Sequence, residues 1–508
     1  MTQREQWGTR AGFILAAVGS AIGLGNIWRF PYVAYDSGGG AFIVPYLVAL
    51  LTAGIPLLVL EYSIGHRHRG SAPLTFRGLA RRSEFIGWWQ VAVSFVISTY
   101  YAVIIAWAMA YAVFSVGLQW GADPNAFLFG DYLRLADEPG QIGRLVGGVA
   151  APLVLVWLVT LGVLTAGVRK GIEVANKVFI PVLVAVFLVL VVRSVTLEGA
   201  AVGLNALFRP DWTAITEASV WVAAYGQIFF SLSIAFAIMI TYASYLPRDS
   251  DLTNNAFIAG FGNASFELLA GIGVFSAIGF MATSQAIPVD EVATEGVGLA
   301  FVTFPGIINT LPALNQTFGL AFFGSLVLAG LSSLISVVQT YVAAVQEKFG
   351  LARTPAVLLG GGAAALLSLT FATEGGLYLL DAADYFINNF GVALVGLVEV
   401  VVVAWLLRRL GTLQAHANAI SDITLGAWWK VALGVITPLL LGWMTIDNLW
   451  TVVSQGYEDY TVTFLLAAGV STAVAALVAG IGLSLLRWRD PALVQASVEA
   501  GAERRGRR

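Results

Sequence analysis

The chain has 508 residues, of which 58% are hydrophobic and 11% charged, and its formal net charge is −3. Soluble domains carry charge on about a quarter of their residues, so this composition argues against a water-exposed surface and favours a membrane protein. The small net charge gives no case for nucleic-acid binding, and the lack of cysteine excludes disulfides and thiolate ligands. His66 and His68, two of the three histidines, lie beside arginines, so we expect no imidazole-based metal site.

Apolar segments long enough to cross a bilayer recur along the whole chain. A helical crossing needs about 20 residues, and backbone polar groups cannot stay unpaired in lipid, so these segments are predicted helices. The first segment is too long for a cleaved signal peptide. We therefore predict an all-α polytopic membrane protein with twelve transmembrane helices, at 11–35, 40–65, 86–117, 148–168, 172–193, 217–246, 254–284, 318–349, 354–372, 376–407, 428–446 and 461–486.

The basic residues predict the orientation of these spans. Twelve crossings leave both ends of the chain on one side, and all but five of the 27 Lys and Arg fall on that side. Arg29 lies at membrane depth, and the opposite side holds Arg134, Arg144, Arg193 and Arg209. Because basic loops stay in the cytoplasm, we expect both termini to be cytoplasmic in a multi-pass protein of the inner (plasma) membrane.

Two loops on the outer side are long and acidic. Segments 118–147 and 285–317 are predicted to form short helices, although plain solvated loops are an equal alternative. The tail from Gln495 to Arg508 is expected to be disordered, with its basic end near anionic lipid.

The first span carries an unusual polar motif, GSAIGLGN at 19–26. Each glycine weakens a helix by roughly 1 kcal/mol relative to alanine, and Asn26 and Arg29 are costly in lipid. An unwound segment would satisfy these groups, because freed carbonyls bind cations and freed amides bind anions. A glycine-lined helix contact is the alternative, but it does not account for Asn26 and Arg29.

The sixth span contains FFSLSIAFA at 229–237, a weaker signal with two hydroxyls at mid-membrane. Its position matters more, because it opens a second group of five spans as the glycine-rich motif opens the first. Matching interruptions in two halves are typical of an inverted-repeat transporter with its site at the midplane. The predicted divisions are an N-terminal segment 1–10, a first repeat 11–195, an outer loop 196–216, a second inverted repeat 217–408, two further helices within 428–487 and a basic tail 488–508.

Further polar groups fall at the same predicted depth. Asn263 and Glu267 lie four residues apart and share a helix face. Ser332, Ser333 and Ser336 lie midway along the eighth span. Each could be an interhelical bond, but together these oxygens suit an alkali cation.

Several motifs resemble the neurotransmitter:sodium symporter family, specifically its amino acid:sodium symporter branch with the bacterial leucine transporter. The motifs occur in the family's order along nearly the whole chain: GLGNIWRFP at 23–31, GGGAFIVPY at 38–46, GQIFFSLS at 226–233, ITYASY at 240–245 and AGLSS at 329–333. The resemblance implies a leucine-transporter-like core of five plus five inverted helices, two C-terminal helices, and sodium-coupled uptake of a neutral, hydrophobic amino acid by alternating access.

The resemblance also implies the substrate site. The substrate carboxylate would meet amides near Leu24 and Gly25 and the hydroxyl of Tyr101, while its ammonium would meet carbonyls near Ala21 and Phe230. The implied substrate-binding residues are Ser20, Ala21, Gly23, Leu24, Gly25, Ile97, Tyr101, Phe230, Ser231, Ser233, Phe236, Ser333 and Val337.

Two sodium sites are implied in the same way. The first would use Ala21, Asn26, Ser231, Asn263 and the substrate carboxylate. The second would use Gly19, Ile22, Ala329, Ser332 and Ser333. Ser231 and Ser332 stand where relatives often carry threonine.

Two positions narrow the expected ligands. Monoamine-carrying relatives have Asp where this chain has Gly23, so the ligand should bring its own carboxylate. Chloride-dependent relatives have Ser where this chain has Glu267, so a fixed carboxylate should replace chloride and remove any chloride requirement. A helix-packing role is the alternative for Glu267, but a buried carboxylate needs compensation.

The resemblance assigns two gates. Arg29 and Asp384 would close the outer one over Phe236 and Tyr101. The inner one would comprise Arg4, Glu347, Trp7, Tyr245 and Gln339, with Glu347 where relatives often carry Asp. Exposed ion pairs are weak enough to break in each cycle.

Three alternatives stay open. An intramembrane enzyme would need a nucleophile with a base or metal ligands, and no histidine falls in a predicted span, so we expect no enzymatic activity. A channel would need a filter motif, which the sequence lacks. A sodium-coupled carrier of a zwitterionic osmolyte or other amino-acid-like solute is the closest alternative. The expected partners are a small amino acid and the lipid bilayer, with no obligate protein partner evident.

Overall fold

The computed structural model describes residues 5–502 of the chain, and nearly all of them lie in helices. Within this range the extended structure is confined to two isolated bridges, Gly39–Pro210 and Leu145–Thr373. The predicted all-α fold is therefore confirmed.

The long helices follow the apolar segments closely. The helices, with bends and tight turns included in the longer ones, are α1 Arg10–Ala21, α2 Leu24–Asp36, α3 Gly40–His68, α4 Ala72–Leu79, α5 Arg81–Phe114, α6 Gly147–Thr165, α7 Val168–Val195, α8 Ala200–Phe208, α9 Ala218–Ser231, α10 Ile238–Ala243, α11 Leu252–Gln285, α12 Gly296–Thr310, α13 Asn315–Phe349, α14 Arg353–Ala372, α15 Gly376–Leu406, α16 Leu410–Asn418, α17 Ala427–Gln455, α18 Val462–Leu485 and α19 Pro491–Ala502.

Ten helices of the described chain are long and apolar enough to cross a membrane, and α1 with α2 forms an eleventh candidate that bends by 56°. The predicted sixth span is divided between α9 and α10, and neither of these is long enough to cross alone. The count of twelve therefore depends on α9 and α10 serving as one crossing, and it stays a prediction.

Both of the long segments that were predicted to lie outside contain short helices, as predicted. Pro124–Ala126 and Phe127–Tyr132 lie in the first, and Val289–Val292 and α12 lie in the second. Plain solvated loops are therefore excluded for these segments.

The prediction of a disordered tail is wrong for residues 495–502. They belong to α19, which packs on α4 and α3. The Ser497 carbonyl and His68 Nδ1 lie 3.1 Å apart, and Arg67 donates to the Gly501 carbonyl. Helix α19 is short and partly polar, so hydropathy does not predict it. Contacts with residues distant in the sequence stabilise it.

The broken helix α1–α2 lies at the centre of the bundle. Helix α1 packs against α7, α11 and α13, and α5 packs along the length of α13. The breaks are thereby enclosed by long helices.

A buried ionic cluster joins four parts of the chain. Glu84 Oε1 accepts hydrogen bonds from Lys348 Nζ at 2.6 Å, Trp88 Nε1 at 3.1 Å and Trp488 Nε1 at 2.9 Å, and Arg77 pairs with the other carboxylate oxygen. The Lys348 ammonium also lies 4.7 Å from the Trp488 ring centre. Because buried charges need partners on every side, this cluster is stable when all its members are present.

Candidate functional site

The first break occurs at Ile22 and Gly23, whose backbones are extended (φ −73°, ψ 99° and φ −122°, ψ −167°). Asn26, in the first turn after the break, stabilises the break because its Oδ1 accepts a hydrogen bond from the Gly23 N–H at 2.8 Å. The break also frees the carbonyl of Ser20, which accepts from the hydroxyls of Ser233 at 3.0 Å and Ser333 at 3.3 Å. The prediction of an unwound segment at this motif is confirmed.

The second break separates α9 from α10. Ser233, Ala235 and Ala237 all have positive φ, at 52°, 66° and 61°, a conformation that is costly for residues with a Cβ. The surroundings hold it in place: Glu61 Oε1 accepts from the Ala235 N–H at 2.7 Å, and the Ser94 hydroxyl donates to the Phe236 carbonyl at 2.7 Å.

A cavity lies between the two breaks. The volume of this cavity is about 60 Å³. Every residue that the resemblance assigns to the substrate lines it, together with Asn26, Tyr100, Asp384 and Asn388. The Leu24 N–H donates to the Tyr101 hydroxyl at 3.3 Å, so two groups predicted to meet a carboxylate lie together at its wall.

The side chains predicted for the first sodium form one buried chain of hydrogen bonds. Asn26 Nδ2 donates to Asn263 Oδ1 at 2.8 Å, and Asn263 Nδ2 donates to Ser231 Oγ at 3.0 Å. Ala21 lines the adjacent cavity. The group therefore offers amide, hydroxyl and carbonyl oxygens, which are the donor atoms that a hard cation prefers.

Three of the five residues predicted for the second sodium, Gly19, Ala329 and Ser332, converge, whereas the Ser333 hydroxyl donates to the Ser20 carbonyl instead. The Ser332 hydroxyl lies 2.9 Å from the Gly19 carbonyl and 2.8 Å from the Ala329 carbonyl. Ile22 is the C-cap of α1, one turn beyond Gly19. Oxygens from the first broken helix and from α13 thus meet at Ser332, and they fit a cation in the same way.

Glu267 is fully buried on α11. Its carboxylate accepts hydrogen bonds from the Tyr46 hydroxyl and, at 2.6 Å, from Gln227 Nε2. Two neutral hydrogen-bond donors therefore converge on the Glu267 carboxylate. The arrangement resembles an anion-binding site in which a side chain of the protein takes the place of the anion.

The predicted outer gate is not closed by an ion pair in this structure. The Arg29 guanidinium instead lies 5.1 Å from the centre of the Phe230 ring, where a cation–π interaction stabilises it. Asp384 accepts from Asn388 Nδ2 at 2.9 Å, and both residues line the cavity, as do Phe236 and Tyr101.

The predicted inner gate is partly assembled. Trp7 donates its backbone N–H to the Tyr245 carbonyl at 3.2 Å, and Gln339 Nε2 donates to the Tyr245 hydroxyl at 2.9 Å. Glu347 accepts from the backbone and hydroxyl of Ser71, and Arg4 lies outside the described residues.

Sequence reasoning missed several members of these groups. Glu5 and Arg353 form an ion pair, 3.0 Å apart. Arg353 also donates to Gln339 Oε1 at 2.9 Å, so this ion pair is connected to the predicted inner gate. Asn388 could have been found from its position four residues after Asp384, on the same helix face.

Two broken helices that face one central cavity define a class of protein, the secondary transporters. The comparisons with known proteins agree. The family model described as "Sodium:neurotransmitter symporter family" matches residues 4–129 and 123–488.

Relatives cover most of the chain. The uncharacterized sodium-dependent transporter MJ1319 of Methanocaldococcus jannaschii is 42% identical over 479 residues, which is 94% of this chain and 97% of that protein. The human sodium- and chloride-dependent GABA transporter 2 is 31% identical over 79% of this chain and 73% of its own length. The crystal structure of MhsT in complex with L-phenylalanine is similar with a TM-score of 0.75 and 32% identity, covering 88% of this chain and all of that one.

The chain belongs to the sodium:neurotransmitter symporter family. It is a multi-pass membrane transporter and a sodium-dependent symporter, with the leucine-transporter-like fold that the resemblance implied.

Proposed function

We propose that this protein takes up a neutral, hydrophobic amino acid together with sodium, by alternating access and without a chloride requirement. The observation that carries the proposal is the cavity between the two breaks, which is lined by both polar groups and apolar side chains. The Leu24 amide, Tyr101 hydroxyl and Ser20 carbonyl lie at the breaks, whereas Ile97, Phe236 and Val337 supply an apolar lining. Such a cavity favours a ligand with a zwitterionic end and an apolar side chain.

The size of the cavity supports a single small ligand. The cavity is small, about 60 Å³, and the side chains that line it leave no room for a large solute without movement of the surrounding helices.

Sodium acts as a co-substrate in this proposal. Asn26, Asn263 and Ser231 hold the first ion next to the substrate carboxylate, and the oxygens around Ser332 hold the second. A carboxylate shared with the first ion couples the two bindings, so sodium tightens the amino acid and the amino acid tightens sodium.

The remaining assignments belong to the same proposal. The first five and second five spans form the inverted repeats, both termini lie in the cytoplasm, and Glu267 supplies the negative charge that chloride supplies elsewhere. The outer gate closes when Arg29 moves from Phe230 to Asp384, and the inner gate involves Trp7, Tyr245, Gln339, Glu347 and Arg4.

The proposal is tested by binding of pooled radiolabelled amino acids to the purified full chain in sodium chloride, sodium gluconate and choline chloride. Binding that needs sodium and not chloride supports the proposal, and separation of the pool identifies the substrate. Binding that is independent of sodium contradicts the shared carboxylate–sodium site. Failure of every amino acid to bind folded protein contradicts the amino-acid assignment and favours an osmolyte.

A pair of glycine variants locates the binding event. A Cβ on Gly25 would lie 2.4 Å from Phe230 Cε1 at the cavity wall, whereas a Cβ on Gly162 would meet no atom within 4 Å. Gly25→Ala should weaken binding at least tenfold, and Gly162→Ala should leave it unchanged. Equal affinities in the two variants would mean that the ligand binds elsewhere.

A further inference from the structure

Two buried carboxyl groups that the proposed transport cycle does not use lie beside the second break. Glu61 on α3 and Glu399 on α15 are 0% and 1% exposed. Glu61 Oε1 accepts from the Ala235 N–H at 2.7 Å, and Glu399 Oε2 accepts from Gln90 Nε2 at 2.6 Å. The second oxygen of each carboxyl group, Glu61 Oε2 and Glu399 Oε1, has no hydrogen-bond partner among the described residues.

The packing of α15 on the break brings the two groups together. A Cβ on Gly396 would lie 3.4 Å from the Ala235 Cβ, so α15 touches the residue whose amide Glu61 binds. Glu399 is three residues further along and lies on the same face of α15. Both buried carboxyl groups therefore lie on helices that pack against the same residue of the second break.

No basic side chain of residues 5–502 compensates this pair. The groups that face it are Tyr62 beside Glu61 on α3, the neutral amide of Gln90 on α5 and the backbone of Ala235 at the break. Glu267 is different, because Tyr46 and Gln227 donate to both of its oxygens.

Two adjacent carboxylates cannot both stay ionised in a buried, low-dielectric site, so such pairs retain a proton. We propose that Glu61 and Glu399 form a proton-binding site that holds one proton with the second break in its present position and exchanges that proton with water when the break moves.

The exchange half of this proposal rests on the proposed function. The break that carries Ala235 also supplies Phe230, Ser233 and Phe236 to the cavity. A movement of this segment during transport withdraws the Ala235 N–H from Glu61 and opens the pair to water. Proton occupancy and the state of the cavity are then linked, and each biases the other.

The proton-binding site is tested without any substrate by infrared spectroscopy of the purified full chain at neutral pH, in water and in deuterated water. The wild type should show the carbonyl stretch of a buried protonated carboxyl group. The double variant Glu61→Gln and Glu399→Gln should lack it, and Glu267→Gln should keep it. A wild type without this band, or a band that survives in the double variant or vanishes in Glu267→Gln, overturns the proposal. If the double variant does not fold, Glu399→Gln replaces it, and an unchanged band in that variant is the contrary result.

The exchange is tested with a pH-sensitive dye in weak buffer as sodium and the bound amino acid are added. The wild type should take up or release up to one proton per molecule. The control variant Glu291→Gln, at an exposed position, should do the same, and the double variant should neither take up nor release a proton. No change in the wild type, with binding of the labelled amino acid verified in the same sample, overturns the exchange. Absence of that binding is instead a failure of the proposed function, and the infrared band is still decisive for the proton site.

Discussion

At the scale of single residues, Glu267 combines complete burial with two converging donors, the Tyr46 hydroxyl and the Gln227 amide. The two donors come from different helices and meet at one point because the carboxylate sits there. If a shorter, neutral side chain replaced the carboxylate, the donors would remain and their pocket would accept a small anion.

We therefore expect Glu267→Ser to bind the amino acid in sodium chloride but at least tenfold more weakly in sodium gluconate. The added anion would restore the missing negative charge next to the first sodium site. Glu291→Ser, on an exposed outer helix, is the control and should be indifferent to chloride. Retained binding by Glu267→Ser in both salts would show that this carboxylate does not stand in for chloride.

At the residue level, the sequence could predict which side chains lie together but not what they bind. The residues implied for the substrate all line the cavity, some because they belong to the breaks at GLGN and SLS and others, such as Tyr101 and Ser333, because α5 and α13 pack beside the breaks; their roles stay predictions. Glu61 and Glu399 escaped notice because nothing in their neighbouring sequence marks them. Only the fold brings α3 and α15 to the same residue, Ala235.

At the scale of elements, the two breaks differ in how the sequence encodes them. The first lies in a glycine-rich motif that weakens a helix, and its extended backbone at Gly23 is one that any residue can adopt. The second has no glycine between Ser231 and Ile238, yet three of its residues have positive φ. Contacts with Glu61, Ser94 and Ser20 stabilise that conformation, so its position could be guessed from symmetry between the halves but its geometry could not.

The contact between α1 and α13 can be tested through Ser332. Removing the hydroxyl withdraws one oxygen from the group around the Gly19 and Ala329 carbonyls. We expect Ser332→Ala to lower sodium affinity by about 10–100-fold, the equivalent of roughly 1.5–3 kcal/mol for a ligand or hydrogen bond to a charged group. Sodium titrations of amino-acid binding measure this.

Two further serine variants are the controls for that titration. Ser332→Thr keeps the hydroxyl and should retain most of the sodium affinity. Ser325→Ala removes a buried hydroxyl of the same helix that bonds to the Phe322 carbonyl, away from the break, and should have little effect. Similar losses in Ser325→Ala and Ser332→Ala would indicate a general weakening of α13 instead of a lost sodium ligand.

At the scale of the whole molecule, hydropathy predicted the helices well because each long apolar segment has one low-energy structure in lipid. The bounds agree within a few residues for most spans, as for predicted 254–284 and observed Leu252–Gln285. The helices that hydropathy did not predict were α4, α8 (within the predicted loop 196–216), α16 and α19, all short helices whose stability depends on packing against the rest of the chain. Periodicity within a segment carries no information about such contacts.

The predicted orientation can be tested cleanly because the natural chain has no cysteine. Asp137 in a loop and Arg82 at the start of α5 are both exposed, and we assign them to opposite sides. Asp137→Cys should react with a membrane-impermeant maleimide in intact cells, and Arg82→Cys should react after the membrane is permeabilised. The reverse pattern would place both termini outside.

The cluster around Glu84 has a consequence for the order in which the protein is made. Its ion pair with Lys348 is completed by the indole of Trp488, which is synthesised 140 residues after Lys348. Until Trp488 has been synthesised, the ion pair between Glu84 and Lys348 lacks the indole ring that covers it. The ion pair is therefore fully enclosed only after Trp488 has been synthesised and has packed against Glu84 and Lys348.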